Sequence, residues 1–169
     1  MRKQTGFSLL ELVVVIAIIS LLAAVGLDRY YRLLVDVERA TMEHNLGVMR
    51  SAVAMQVAAY FVAGSMAELD RLVGGNPMEL LAEPPENYLG VRSQDEAVDA
   101  EPGNWFFDAQ EQVLYYLVRN TVFFEANLND PVRVGFRILP VYSQKDQGEY
   151  ISGLSLRPLN SYRWLKTRQ

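Results

Sequence analysis

The sequence predicts an α+β protein in which one long N-terminal helix packs on a small antiparallel sheet. Residues 7–27 are almost entirely apolar, and residues 28–61 repeat apolar side chains at helical spacing. Short segments with strand-like alternation follow residue 104. A chain of 169 residues has room for one membrane segment and one globular domain of about 100–140 residues.

The first apolar segment has the length of a membrane span. Residues 7–27 form a helix of roughly 31 Å at about 1.5 Å per residue, close to the hydrocarbon thickness of a bilayer. Arg2 and Lys3 precede the segment, so we expect a cytoplasmic N-terminus and an exported remainder. The polar residues of the segment are Ser8, Glu11 and Ser20. A carboxylate inside such a segment costs on the order of 2.5–3.5 kcal/mol at the bilayer centre, so Glu11 is expected to have a partner.

The helical pattern continues beyond the membrane segment as an amphipathic helix. Between residues 28 and 61 there is no proline and one glycine, Gly47. The apolar face consists of Met42, Leu46, Met49, Val53, Val57 and Tyr60, at spacings of three and four. The polar side chains expected mostly away from this face are Glu38, Arg39, Glu43, Asn45 and Arg50. The helix is predicted to end near Phe61.

Two short helices and a loop are predicted between the long helix and the sheet. The first helix covers residues 66–73 and stops at two glycines. Asn76 is a predicted N-cap with Pro77 at the first helical position, and this second helix runs to about Ala82. Residues 83–104 are polar and rich in turn residues, which predicts a connecting loop.

The remaining segments predict three or four antiparallel strands. Residues 105–107 and 113–119 flank a polar turn, as in a hairpin. Residues 132–138 alternate strictly, and residues 151–156 form a further predicted strand that Pro158 ends. The side chains predicted to face the core from these two strands are Val132, Val134, Phe136, Ile138, Leu154 and Leu156.

Composition excludes several classes of function. The chain has no cysteine, so neither a disulfide nor a thiolate metal site is possible. Its net charge is −4, so nucleic acid is not expected as the main partner. The single histidine, His44, and the absence of a phosphate-binding glycine motif indicate that the protein is not an enzyme. No cofactor is predicted.

The N-terminus resembles a known processing signal. A short basic segment is followed by Gly6-Phe7-Ser8-Leu9-Leu10-Glu11 and an apolar run, which resembles the class III signal of type IV pilins and type II secretion pseudopilins. The resemblance implies that a prepilin peptidase cuts after Gly6 and methylates Phe7. It also implies that Glu11 pairs with the N-terminal amine of a neighbouring subunit; pairing with the amine of its own chain is the alternative.

The resemblance also implies a domain plan and a set of partners. Residues 1–6 would be the cleaved leader, residues 7–27 the inner-membrane helix, and residues 28–169 a periplasmic domain that includes the second half of the helix, in the ladle shape of pilins. The expected partners are the prepilin peptidase, other pilin or pseudopilin subunits, the inner-membrane assembly platform and the membrane. A secretory signal cut after Gly26 and an ordinary signal anchor are the competing interpretations.

The function implied is that of a structural subunit of a type IV pilus-like filament. Main filament subunits often have a disulfide and a proline near the membrane exit, whereas this chain has neither. These differences favour a minor or accessory pilin, similar to those of mannose-sensitive haemagglutinin pili. The close alternative is a pseudopilin of a type II secretion system, and an alternative of another class is a tip-located adhesin or DNA-binding module.

Three further groups of residues are candidate sites. Asp95, Asp99 and Glu101, with Glu96 and Asp108 nearby, are calcium candidates by resemblance to the major pseudopilin, although a solvated acidic loop is favoured. The basic C-terminal tail, a candidate for DNA contact, contains Arg157, Arg163, Lys166 and Arg168. The aromatic candidates, for which core packing is favoured over a binding patch, are Trp105, Phe106, Phe107, Tyr115, Tyr116, Phe123 and Phe124.

Overall fold

The chain forms one long helix followed by a β-rich region. The structure, a computed structural model, describes residues 8–126, 132–145 and 148–165. Two compact units are distinguished, Met1–Val37 and Glu38–Gln169, and the boundary between them lies inside the helix. The membrane boundary expected at residue 27 stays a prediction.

Helix α1 spans Leu9–Val62, as the periodicity of the sequence predicts. Met42, Leu46, Met49 and Val53 are each at most 1 % exposed, so the predicted apolar face is the buried one. The helix ends in a Schellman motif, in which Ser65 N donates to Tyr60 O and Gly64 N donates to Phe61 O. Gly64 has a φ of 68°, a conformation that glycine adopts without strain.

In the described part of the chain three short 3₁₀ helices follow, at Met66–Leu72, Pro77–Leu80 and Thr121–Phe123. The first two lie where short helices are predicted. Asn76 caps the second one, since its Oδ1 accepts a hydrogen bond from Met78 N at 3.1 Å. The cap is itself buried, and its Nδ2 donates to the Tyr88 hydroxyl at 2.9 Å.

The strands form one mixed five-stranded sheet and a second two-stranded sheet. They are β1 (Tyr88–Val91), β2 (Trp105–Asp108), β3 (Val113–Leu117), β4 (Phe124–Ala126), β5 (Arg133–Lys145), β6 (Gly148–Pro158) and β7 (Tyr162–Trp164). The larger sheet has the order β1-β2-β3-β5-β6, and β4 pairs with β7. β1 runs parallel to β2, whereas every other pairing between these strands is antiparallel.

The expected antiparallel sheet is therefore confirmed in its centre and wrong at one edge. The predicted hairpin is β2–β3, and the two later strands are β5 and β6, both longer than predicted. Val134, Phe136, Ile138 and Leu156 are buried as expected, whereas Leu154 is half-buried. The segment 83–104, predicted as a loop, contains β1. With four residues, β1 is too short for its sequence pattern to be distinguished from that of a loop.

Both faces of the central strands are covered, because β2 and β3 are buried at every position. One face contains Trp105 and Tyr116, and the Tyr116 hydroxyl donates to Glu38 of α1. On the other face Ala97 packs with Phe106 and Tyr115. The segment between β1 and β2 is thus a cover for the second face of the sheet rather than only a connection.

The close packing of this second face generates a prediction at Gly135 in β5. A Cβ atom there would lie 2.9 Å from Val113 Cγ1 and 3.1 Å from Tyr115 Cε1. We expect Gly135→Ala to lower the free energy of unfolding by about 1–3 kcal/mol, because the buried neighbours must move. Thermal unfolding of the full chain in detergent, followed by circular dichroism, measures the effect.

Gly153 in β6 provides the matched control. Nothing lies within 4 Å of the position of its Cβ, so Gly153→Ala should leave the stability unchanged or raise it slightly. Equal destabilisation by both substitutions would contradict the described packing of β5 against Tyr115.

Candidate functional site

The first part of α1 is an exposed apolar surface of membrane length. From Leu9 to Leu27 every residue is exposed, and the most apolar 18-residue window of the helix has none of its surface buried within the protein. Among the described residues, α1 is the one helix long and apolar enough to cross a bilayer. Such a surface is unfavourable in water and requires lipid or other apolar helices around it.

Ser8 and Glu11 form the first turn of this helix. Ser8 O accepts from Leu12 N at 3.1 Å, and Ser8 Oγ accepts from Glu11 N at 3.2 Å. Ser8 is therefore the N-cap, and the Glu11 carboxylate lies near the positive end of the helix dipole. Gly6 and Phe7, the predicted processing residues, lie outside the described residues. Within the described residues the exposed Glu11 carboxylate accepts no hydrogen bond.

The residues after the apolar segment change abruptly in character. Asp28 and Arg32 form an ion pair at 3.1 Å, and the rings of Tyr30 and Tyr31 meet edge to face at 6.2 Å. Charged and aromatic residues at this level are typical of the interface between membrane and water. Charged and aromatic residues thus follow the apolar segment for one turn of the helix, and the apolar residues Leu33 and Val37 are exposed beyond them.

Within the acidic loop, Glu96 has a structural role. Glu96 Oε2 accepts from Ser93 N at 2.9 Å, while Ser93 Oγ accepts from Glu96 N at 3.3 Å, which is a reciprocal capping box. These hydrogen bonds with Ser93 hold the pKa of the Glu96 carboxyl below its usual value. In the described part of the chain no three His, Asp or Glu side chains are grouped as metal ligands, so Asp95, Asp99 and Glu101 do not form such a group.

Asp108, the fifth acidic candidate, also has a structural role. It is 3 % exposed, and its Oδ1 accepts from Gln110 N at 2.9 Å and from Glu111 N at 3.0 Å. The side chain thereby fixes the turn between β2 and β3.

Most of the aromatic candidates and one of the basic candidates make contacts within the fold. All the aromatic candidates except the half-buried Phe123 are buried in the sheets, as the favoured interpretation predicts. Arg163 in β7 donates to Glu125 Oε2 at 2.7 Å across the small sheet, and Arg157 lies exposed near the end of β6. Lys166 and Arg168 lie outside the described residues.

Glu38 has a role that the sequence reasoning missed. Its carboxylate accepts hydrogen bonds from the Tyr116 hydroxyl at 3.0 Å, Arg119 N at 2.7 Å and Asn120 N at 2.9 Å, and also from Asn120 Nδ2 at 2.6 Å. This single side chain binds the second half of α1 to the end of β3 and the loop after it. The expectation that Glu38 lies away from the buried face is wrong. Its position four residues before Met42 is the signal that could have placed it on that face.

His44 lies exposed on α1 and lines a groove of about 220 Å³. The other residues that line the groove are Asn45, Val48 and Met49 of the helix and Met78, Leu81, Glu83 and Pro85 of the segment that follows it. The groove around His44 thus combines apolar side chains with the polar Asn45 and Glu83.

Comparison with known families agrees with the exposed apolar surface of the first part of α1. Residues 1–27 match the family model described as the prokaryotic N-terminal methylation motif, which is the signal of type IV pilins and pseudopilins. Proteins with this motif are structural rather than enzymatic, and the motif implies processing by a prepilin peptidase and assembly with other pilin subunits. Comparison with curated proteins and with solved structures gives no match.

The environment of Glu38 predicts a stability effect of about 2 kcal/mol. Glu38→Ala removes the acceptor for the Tyr116 hydroxyl and for two backbone N–H groups, and hydrogen bonds to charged groups contribute about 1.5–3 kcal/mol each before solvent screening. We expect the free energy of unfolding of the full chain to fall by about 2 kcal/mol. Glu43→Ala, which removes an exposed ion pair with Arg39, should cost under about 0.5 kcal/mol. Equal losses would contradict the role of Glu38.

The tyrosines of the sheet predict a loss of stability in alkali. Burial, followed by the nearby Glu38 carboxylate, raises the pKa of the Tyr116 phenol well above its ordinary value of about 10. Above pH 10 the unfolded chain releases this proton while the folded chain keeps it, so the free energy of unfolding falls as pH rises. Tyr116→Phe should make this decline less steep. Thermal unfolding at pH 8, 10 and 11 tests it, and an unchanged slope would contradict the assignment.

Proposed function

We propose that this protein is an accessory subunit of a type IV pilus-like filament. It enters the inner membrane as a precursor with a leader of residues 1–6, and a prepilin peptidase removes the leader and methylates Phe7. The mature chain then leaves the bilayer and joins the filament through residues 7–27. The remainder of the chain, from residue 28 onward, stays on the periplasmic or outer side throughout.

The exposed apolar half of α1 carries this proposal. The surface is covered by lipid before assembly, and it needs an equally apolar surrounding afterwards. A bundle of such helices supplies that surrounding, so transfer from membrane to filament exchanges one apolar environment for another. The methylation motif at residues 1–27 supports the same route.

Glu11 gives the assembly its axial register in this proposal. Two opposite charges attract strongly in a low-dielectric medium, and an unpaired buried charge is costly. The mature N-terminal amine of a neighbouring subunit is the partner proposed for the Glu11 carboxylate. The carboxylate is exposed and accepts no hydrogen bond from the described residues, so it is available for such a contact.

Two sequence features favour an accessory subunit over the main one. The chain lacks cysteine, and it lacks proline at the membrane exit. Helix α1 accordingly continues through Gly26 without interruption. A pseudopilin of a secretion system shares the same signal and differs in where the mature chain accumulates.

The leader generates the first prediction of this proposal. Replacement of Gly6 by Leu should block cleavage, because the proposed peptidase requires a small residue before the cut. Immunoblots of membrane fractions should then show only the precursor, whereas Gln4→Leu should be processed as the wild type is. Normal maturation of the Gly6 variant would refute the proposed signal.

Glu11 generates the second prediction. Glu11→Ala should be processed normally, yet its recovery in sheared filaments should fall about tenfold, because the amine of the neighbouring subunit loses its counter-charge. Ser20→Ala is the matched control, since the Ser20 hydroxyl donates to Ile16 O within its own helix. Wild-type recovery of the Glu11 variant would remove the pairing argument.

A further inference from the structure

The groove between α1 and residues 78–85 combines a buried apolar floor with an exposed carboxylate. Met49 of α1 and Met78 line it and are 0 % and 2 % exposed, so they form its floor. Glu83 lines the same groove and is exposed. The buried Asn76 side chain accepts from Met78 N at 3.1 Å and thereby fixes the start of this segment. The floor of the groove is therefore part of the fold.

The size and the lining of the groove fit a single side chain. Its volume of about 220 Å³ lies below the range of about 300–1,000 Å³ that is usual for sites of small organic ligands. Leu81 and Pro85 add apolar surface to the two methionines. Methionine side chains are flexible and polarizable, so they adapt to an unbranched chain that lies on them. The lining thus favours one long side chain with an apolar stem.

Glu83 determines the charge that such a side chain needs. Among the described residues its carboxylate has neither an ion pair nor a hydrogen bond, and His44, which lines the same groove, does not pair with it. Residues 72–91 contain three glutamates and neither lysine nor arginine. The groove therefore has a negative charge at its opening that no neighbouring cation of its own segment balances, and it favours a cationic occupant.

We propose that this groove receives a lysine side chain from a different subunit of the filament. The four-carbon stem of the lysine covers Met49 and Met78, and its ammonium group pairs with Glu83 at the opening. Long basic side chains bury their stems in this way while the charged end stays in contact with water. An unbranched stem with one compact charge suits this lining better than the planar guanidinium of arginine.

The composition of the chain favours a different subunit as the source of the lysine. After residue 27 the chain contains two lysines, Lys145 and Lys166. An accessory subunit is also outnumbered by the other subunits that surround it. The inference rests on the proposed filament function and adds a contact that is made by the region beyond the membrane segment.

Carbodiimide cross-linking of sheared filaments tests the contact at Glu83. The reagent converts a carboxylate into an O-acylisourea, which the lysine Nζ of an ion pair attacks, so that an amide forms and a urea leaves. Mass spectrometry of the digested filaments identifies the two joined peptides. Glu86→Gln is the matched control for Glu83→Gln, because both glutamates are exposed and belong to the same segment, whereas the groove is lined by Glu83.

The expected product joins Glu83 to a lysine of another filament protein, in the wild type and in Glu86→Gln, and it is absent from Glu83→Gln. Filaments that contain the chain without a Glu83 product, or with an equal product at Glu86, would overturn the inference and leave the proposed function intact. A product with Lys145 or Lys166 would overturn the different subunit as occupant. Absence of the chain from sheared filaments would overturn the proposed function as well.

Filling the groove separates insertion of the stem from a simple surface ion pair. Val48 lines the groove and is 42 % exposed, so Val48→Trp should occupy it and lower the yield of the Glu83 product about tenfold, although Glu83 itself is retained. Ala54→Trp, at an exposed position further along α1, should leave the yield unchanged. Both variants should unfold in detergent at the wild-type temperature. Equal yields from the two variants would overturn the insertion of the stem.

Discussion

One uninterrupted helix has to fit two different environments, an apolar one in its first half and the protein core beside water in its second half. The rest of the structure depends on this constraint. From Leu9 to Leu27 every residue is exposed and, apart from Glu11 and Ser20, the segment is apolar, as lipid or neighbouring helices require. From residue 38 onward only the face with Met42, Leu46 and Met49 is buried, and that face holds the sheet. The change from an apolar cylinder to an amphipathic helix is what allows one element to be both an anchor and a core component.

The five-stranded sheet is covered on both faces at its centre, where β2 and β3 are buried. The segment around Ala97 covers one face of the sheet, and the other is bonded to α1 through Glu38. The outer strand β6 ends at Pro158, and Arg50 Nε donates to Leu156 O of this strand at 3.3 Å. The exposed apolar surface of membrane length among the described residues lies in α1, from Leu9 to Leu27.

The sequence predicted the long helix, the β2–β3 hairpin and β5 because each has a clear period. It missed β1 and the β4–β7 pair, since four- and three-residue strands contain too few positions for alternation to be recognised. The contacts of Glu38 depend on residues 78 to 82 positions away in the chain, so no local pattern contains them. Processing and assembly residues were identified by resemblance alone, and their roles at Gly6, Phe7 and Glu11 stay predictions.

The most direct measurement is mass spectrometry of the mature N-terminus in filaments sheared from cells, compared with the membrane fraction. The account predicts a peptide that begins at N-methylated Phe7 in the sheared material, at a lower abundance than the main filament subunit. A mature peptide found only in membranes would contradict a surface filament and favour a periplasmic pseudopilus. A chain that begins at Leu27, after cleavage by an ordinary signal peptidase, would contradict the account altogether.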